Sequence, residues 1–253
     1  MKKLKVKHLV IGEGIPKICV PVMGKNQEEI LQAMEQAAES SADLVEWRAD
    51  FWEQCEDTEA LDDLLEKIQN ILKHKPLLFT IRTGNEGGVY KKDAKTYANV
   101  LSRAAKKADL VDVEVFMPEL DAKNLIRQIQ DAGSKVVASN HDFHATPAKE
   151  EIVSRLANME QLGADVAKIA VMPQSDKDVL TLLDATQERK NQSEGIPTIT
   201  MSMAGKGVIS RISGETFGSA VTFASLTKAS APGQIDLEDL RHILQILHEN
   251  KEK

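Results

Sequence analysis

The chain has 253 residues, of which 28% are charged and 42% hydrophobic, with a formal net charge of −7. This length suits one large α/β barrel or two small domains, and the composition is that of a folded globular protein. The acidic balance argues against nucleic acid or an anionic membrane as partner, while a local cluster of arginines leaves small anions open as ligands. The two cysteines, Cys19 and Cys55, offer no disulfide framework and read as reduced structural thiols. The basic start MKKLKVKHLV is followed by no long apolar run, so no signal peptide is expected. No run reaches the roughly 20 apolar residues of a membrane span. A cytoplasmic protein is the expectation, and the NQS sequon at Asn191 reads as chance.

In chain order, KVKHLVIGEGIP (residues 5–16) predicts an extra hairpin turning at Gly12–Gly14. In a barrel it would cover the end away from the chemistry. Its GEG lacks the third glycine and the helix start of a dinucleotide-binding loop. Eight short apolar, β-branched runs follow, at 17–23, 43–48, 76–82, 110–116, 135–140, 165–171, 196–202 and 219–226. Helical periodicity fills the intervals. Residues 26–41 repeat Ile30, Met34 and Ala37/Ala38 behind an acidic first turn. Residues 146–163 predict a helix with Thr146 as N-cap, Pro147 at the first helical position and Gly163 as the stop. The closing stretch 236–253 places Leu240, Ile243, Leu244 and Leu247 on one stripe. Eight βα repeats in a chain of this size predict a single-domain (β/α)8 TIM barrel over residues 1–253. A doubly wound open sheet is the alternative, since the continuous apolarity of the strands suits parallel pairing in either.

Barrel enzymes build their sites at the C-terminal ends of the strands, and the ionisable residues concentrate there. The second run ends with Glu46 and Arg48, two apart and so on one side of the strand. The third ends at Arg82, with Glu86 in the glycine-punctuated loop after it. The fourth carries Asp112 and Glu114; the fifth delivers His141 and His144 just past its end. Arg211 follows the seventh, and TKASAPGQ after the eighth is long enough to act as a lid. Singly, each has a plain structural reading: Glu46–Arg48 an ion pair, Arg211 a solvated helix residue, His141 a hydrogen-bonded packer.

The sixth run, DVAKIAVM, carries one intruder. An ammonium group in an apolar strand is costly unless paired. Lys168 is either a snorkelling or edge-strand lysine, or one desolvated to act as a nucleophile with Val166, Ile169 and Ala170 keeping water away. A buried lysine has its pKa drawn down, and neutral amine forms imines with ketones and aldehydes, which ease loss of an adjacent proton. A histidine moves that proton, a carboxylate such as Glu86 fixes the histidine's tautomer, and arginines clamp a carboxylate or phosphate.

Six motifs in this order then carry a family resemblance: LVEWRAD (44–50), PLLFTIR with EGG (76–88), VVASNHDFHATP (136–147), AKIAVMPQS (167–175), ITMSMAGKGVISR (199–211) and KASAPGQI (228–235). Over essentially its whole length the sequence resembles the type I 3-dehydroquinate dehydratases. The resemblance implies dehydration of 3-dehydroquinate to 3-dehydroshikimate, a step of the shikimate pathway to aromatic amino acids. The route is syn elimination through a Schiff base on Lys168. It implies His141 as general base and acid and Glu86 as its support. Arg211 would hold the substrate carboxylate, with Ser230 and Gln234 closing over it, and Glu46, Arg48 and Arg82 would meet the substrate hydroxyls. It implies no metal, no organic cofactor and a homodimer. One departure is Pro21, where relatives often place a serine; proline removes a hydroxyl and a backbone donor. Three other readings are a Schiff-base aldolase, a metal-dependent hydrolase using His141, Asp142 and His144, and a catalytically dead carboxylate binder. An aldolase acting on sugar phosphates would want a glycine-rich phosphate cradle after the seventh or eighth strand. The second reading is weakened because His144 falls on the opposite face from His141, and the third because lysine, histidine and glutamate are all intact.

Overall fold

A computed structural model of the chain describes residues 2–192, 195–226 and 233–251. Two short antiparallel strands, β1 (Leu4–Val6) and β2 (Leu9–Ile11), come first. The alternating units are β3 (Lys17–Val22), α1 (Gln27–Glu39), β4 (Leu44–Arg48), α2 (Thr58–Leu72), β5 (Leu77–Thr80), α3 (Ala94–Ala104), β6 (Leu110–Glu114), α4 (Ala122–Asp131), β7 (Lys135–Asp142), α5 (Lys149–Gln161), β8 (Val166–Val171) and α6 (Asp176–Lys190). Then come β9 (Thr198–Ser202), the short helices α7 (Val208–Ile212) and α8 (Gly214–Phe217), β10 (Val221–Ser225), β11 (Ile235–Asp236) and α9 (Leu237–Lys251).

Strands β3 to β9 pair in parallel in chain order, and β10 returns to β3. The remaining gap is spanned by a parallel bridge from Thr198 to Ser219 and by the Ala220 N–H donating to the Thr198 carbonyl at 2.8 Å. The eight strands thus close into the (β/α)8 ring, and an open doubly wound sheet is ruled out. Four helices start on side-chain caps from Asn26, Asp57, Asp93 and Asp121, each accepting from backbone N–H groups of the first turn.

Alternation along each strand divides the apolar side chains into two cores. Outward residues such as Val45, Phe79, Val111, Ala138 and Ile169 pack against the helices. Inward residues Cys19, Leu44, Leu78, Leu110, Val137, Val166 and Val221 meet Val6, Leu9 and Ile11 of the hairpin, which closes the N-terminal end of the barrel.

Four details correct the sequence reading. The hairpin turns at Lys7–His8, with Lys7 left-handed (φ 51°) and its Nζ held by Gln69 and the Lys73 and Lys75 carbonyls; Gly12 and Gly14 serve the exit from the hairpin. The helix expected from Thr146 begins at Lys149, because the Thr146 hydroxyl donates to the Met172 carbonyl instead of capping. On α9, Leu240 and Leu244 are buried while Leu247 stands exposed. Ile169 belongs to the outer core, so only Val166 and Ala170 share the interior with Lys168.

Candidate active site

Above the apolar floor the inward positions change character. Glu46, Thr80, Asp112, Ser139 and Lys168 form a buried polar tier, and Arg48, Arg82, Glu114 and His141 stand next along the same strands or just beyond them. A cavity of about 300 Å³ opens over this tier, lined among others by Glu46, Arg48, Arg82, Glu86, His141 and Lys168. That volume suits a small metabolite.

Lys168 is 3% exposed, yet it is not alone among hydrocarbon. Its Nζ lies 3.1 Å from Asp112 Oδ2 and 3.5 Å from Glu46 Oε1, and 4.8 Å from the centre of the Phe223 ring. The second carboxylate partner, Glu46, also accepts from the Thr80 hydroxyl at 3.0 Å. This paired setting answers the cost of burying an ammonium group. Asp112 is saturated: Oδ2 takes Lys168 and Arg82 Nη2 (3.0 Å), and Oδ1 accepts from the Ser139 hydroxyl at 2.6 Å. Burial pushes this carboxyl up, but Arg82, Lys168 and His141 outweigh burial and hold it well below the usual carboxylate range.

Arg82 ties the tier together. Its Nη1 donates to Glu114 at 2.9 Å and to Ser139 at 3.1 Å, and Glu86 lies 3.7 Å away. Burial lowers the guanidinium pKa, and the three carboxylates Asp112, Glu114 and Glu86 raise it well past its ordinary value. Glu114 is itself held by the Thr83 N–H (2.9 Å) and hydroxyl (2.5 Å). The backbone turn that places Glu86 demands glycine at 88, where a Cβ would stand 2.0 Å from the Arg82 carbonyl.

His141 lies within β7, one residue from its end, rather than past it. Its Nδ1 is 2.8 Å from Glu86 Oε2, and its backbone N–H donates to the same oxygen at 2.9 Å. Asn140 Nδ2 donates to Glu86 Oε1 at 3.0 Å. Burial, Arg82 and Lys168 push the imidazole pKa well down, against Asp112. Burial and Glu114 push Glu86 up to about 8, against Arg82 and Asn140. At 2.8 Å the two groups are close enough to exchange a proton, the contact a proton carrier needs.

Arg48 does not pair with Glu46. It chelates Asp50 through Nε (2.8 Å) and Nη2 (2.9 Å) and lies over the Phe51 ring. Arg211, on α7 after the seventh barrel strand, lines the cavity, and burial pushes its guanidinium down to about 10. Gln234 reaches the same cavity just before β11; Ser230 lies outside the described residues. His144 is exposed beyond the strand and does not converge with His141. Pro21 sits in β3 in register with Glu46.

The cavity therefore brings together Lys168, His141, Glu86, Glu46, Arg48, Arg82, Arg211 and Gln234. The sequence reading gave no role to Asp112, Glu114, Asp50 or Asn140, although the i, i+2 spacing of Asp112 and Glu114 marked them as one-sided. The apolar wall of Met201, Met203, Phe143 and Phe223 carried no polar signal.

Residues 18–251 match the family model of type I 3-dehydroquinase. The chain is 52% identical to the 3-dehydroquinate dehydratase of Listeria monocytogenes serotype 4a, over 98% of this chain and 99% of that one. It is 48% identical to the 3-dehydroquinate dehydratase of Bacillus velezensis, over 99% and 100%. Its fold superposes with a TM-score of 0.95 on the type I 3-dehydroquinate dehydratase of Clostridium difficile with covalent modified comenic acid, at 44% identity over 98% of this chain and 99% of that one. The chain belongs to the type I 3-dehydroquinase family of hydro-lyases.

Proposed function

We propose that the enzyme dehydrates 3-dehydroquinate to 3-dehydroshikimate through an imine on Lys168. The observation that carries this reading is a buried amine opening on the same cavity as a histidine paired to a carboxylate. Lys168, having released a proton to solvent through the cavity, attacks the substrate ketone as the free amine; the carbinolamine takes one proton back and loses water, which leaves the protonated imine. His141 Nε2 takes the proton beside the imine carbon, and the electron pair moves into an enamine. That pair then expels the hydroxyl, which leaves as water with the proton returned by His141. Removal and return by one base on one face make the elimination syn. Water hydrolyses the product imine and frees Lys168.

Glu86 holds Nδ1 so that Nε2 faces the substrate. Arg211 supplies a planar donor pair for the substrate carboxylate, with Gln234 and Ser230 as further substrate ligands, and Glu46, Arg48 and Arg82 meet the hydroxyls. The Clostridium difficile enzyme was solved with covalent modified comenic acid, which is in keeping with a covalent route. The reading places the enzyme in the shikimate pathway, in the cytoplasm and as a homodimer; sedimentation equilibrium checks the last. Among the described residues no helix is long and apolar enough to cross a membrane.

Borohydride reduction in the presence of 3-dehydroquinate, followed by peptide mass mapping, tests the mechanism. A stable adduct on Lys168 and on no other lysine is the expected result. An unmodified Lys168, or full activity in Lys168→Met, overturns it.

A further inference from the structure

We infer that Arg155 and Asn140 are positioning residues, forming a hydrogen-bonded relay from helix α5 through the barrel wall that fixes His141 with its proton on Nδ1 and its Nε2 lone pair toward the cavity. The inference rests on His141 being the proton carrier proposed above, and it assigns the groups that set its tautomer. Asn140 precedes His141 on β7 and so starts from the outer, helix-facing side of the wall. Arg155 Nη1 donates to Asn140 Oδ1 at 2.9 Å, and Arg155 Nε is itself anchored by Glu151 at 2.7 Å.

An asparagine amide alone has two orientations of nearly equal shape. A guanidinium only donates, so the Asn140 oxygen must face Arg155 and its NH₂ must face Glu86. Glu86 Oε1 is then obliged to accept from Asn140 at 3.0 Å, and Oε2 to accept the His141 backbone N–H at 2.9 Å. Two donors fixed in this way favour the carboxylate form of Glu86. Against a carboxylate 2.8 Å away, Nδ1 carries the proton, which leaves Nε2 as the base.

The relay acts against a real opposing pull. Glu86 faces Glu114 and Asp112 from β6, which favour its neutral form together with burial, and Arg82 after β5, which favours the anion. His141 faces Arg82, Lys168, Asp112 and Arg48. With the amide turned over, an oxygen would meet Glu86 Oε1, the carboxyl would keep a proton, and Nδ1 would have to accept it. The tautomer at His141 would invert.

The test compares Arg155→Met, Arg155→Lys and Asn140→Asp with wild type by steady-state kinetics across pH and by ¹⁵N spectra of histidine-labelled protein. Arg155→Met and the isosteric Asn140→Asp are expected to lower kcat about tenfold near neutral pH, the scale of lost outer-shell support, with KM within about twofold. The acid limb of the kcat profile should rise by about one pH unit, because the anion has lost a donor. The share of His141 protonated at Nδ1 should fall in both. Arg155→Lys, which still donates, should restore most of kcat and the wild-type tautomer. Folded Arg155→Met and Asn140→Asp proteins with wild-type pH profiles and tautomer overturn the relay. His141→Ala separates the two readings. Wild-type turnover in that variant removes the base assignment, while the ¹⁵N spectra still decide the relay.

Discussion

Replacing Asp112 by asparagine removes one negative charge from beneath the cavity and nothing else of comparable size. The carboxylate is fully buried and holds Arg82, Lys168 and Ser139 at 3.0, 3.1 and 2.6 Å. Removing one member of a buried charge pair costs about 3–5 kcal/mol, because the partner stays buried and uncompensated. Here Arg82 keeps Glu114 at 2.9 Å and Lys168 keeps Glu46 at 3.5 Å, which places the expected cost at the lower end, about 3 kcal/mol. At about 2–4 °C per kcal/mol for a chain of this size, Tm should fall by about 6–12 °C. Paired thermal and urea unfolding at neutral pH measures this, with the urea slope unchanged if only stability has moved. The pH dependence has a defined sign. A carboxylate whose folded pKa lies below its unfolded value stabilises fully above about pH 4 and progressively less below it, so the gap between wild type and variant should narrow as pH falls under 4. A loss under about 1 kcal/mol at neutral pH, or a gap constant from pH 7 to pH 3, would refute the coupling of these charges.

Two further outcomes are expected. Arg211→Lys exchanges a planar donor pair for a point charge and should lower kcat/KM about 10- to 100-fold while borohydride still traps the imine; kinetics within twofold of wild type would remove Arg211 from carboxylate binding. Gly88→Ala forces a Cβ to 2.0 Å from the Arg82 carbonyl and should cost about 3 kcal/mol or the soluble fold, whereas Gly205→Ala, which meets nothing within 4 Å, should leave Tm within a degree or two; equal effects of the two would contradict the tight turn after β5.

The fold was legible because short, continuously apolar runs and 3.6-period stretches alternate eight times, and a closed parallel sheet with both faces covered is what such alternation builds. The errors came from single residues whose partners lie far away in the chain. Glycines marked the hairpin turn in the sequence, yet Lys7 takes the left-handed position, and its ammonium gains partners on and after α2 that no local pattern encodes. Thr146 has the chemistry of an N-cap but spends its hydroxyl on Met172. In the site, Lys168 was conspicuous because it broke an apolar run, whereas its partners Asp112 and Glu46 become partners only when β4, β6 and β8 are brought around one axis. Asn140 was the least visible. It sits beside a histidine in an ordinary polar stretch, and its amide is given direction by Arg155, 15 residues on and outside the barrel.

The hairpin stopper has a consequence for traffic. With Val6, Leu9 and Ile11 seated among the lowest inward side chains, the barrel is a flask and not a tube. In the proposed cycle water is released when the imine forms, is released again when the substrate hydroxyl departs, and is consumed when the product is freed. Each of these molecules passes the same neck as the substrate, past His141, Arg211 and Gln234. Mutations that loosen the stopper, though far from Lys168, should therefore show themselves as leakage: faster solvent exchange at the amine and early hydrolysis of the imine.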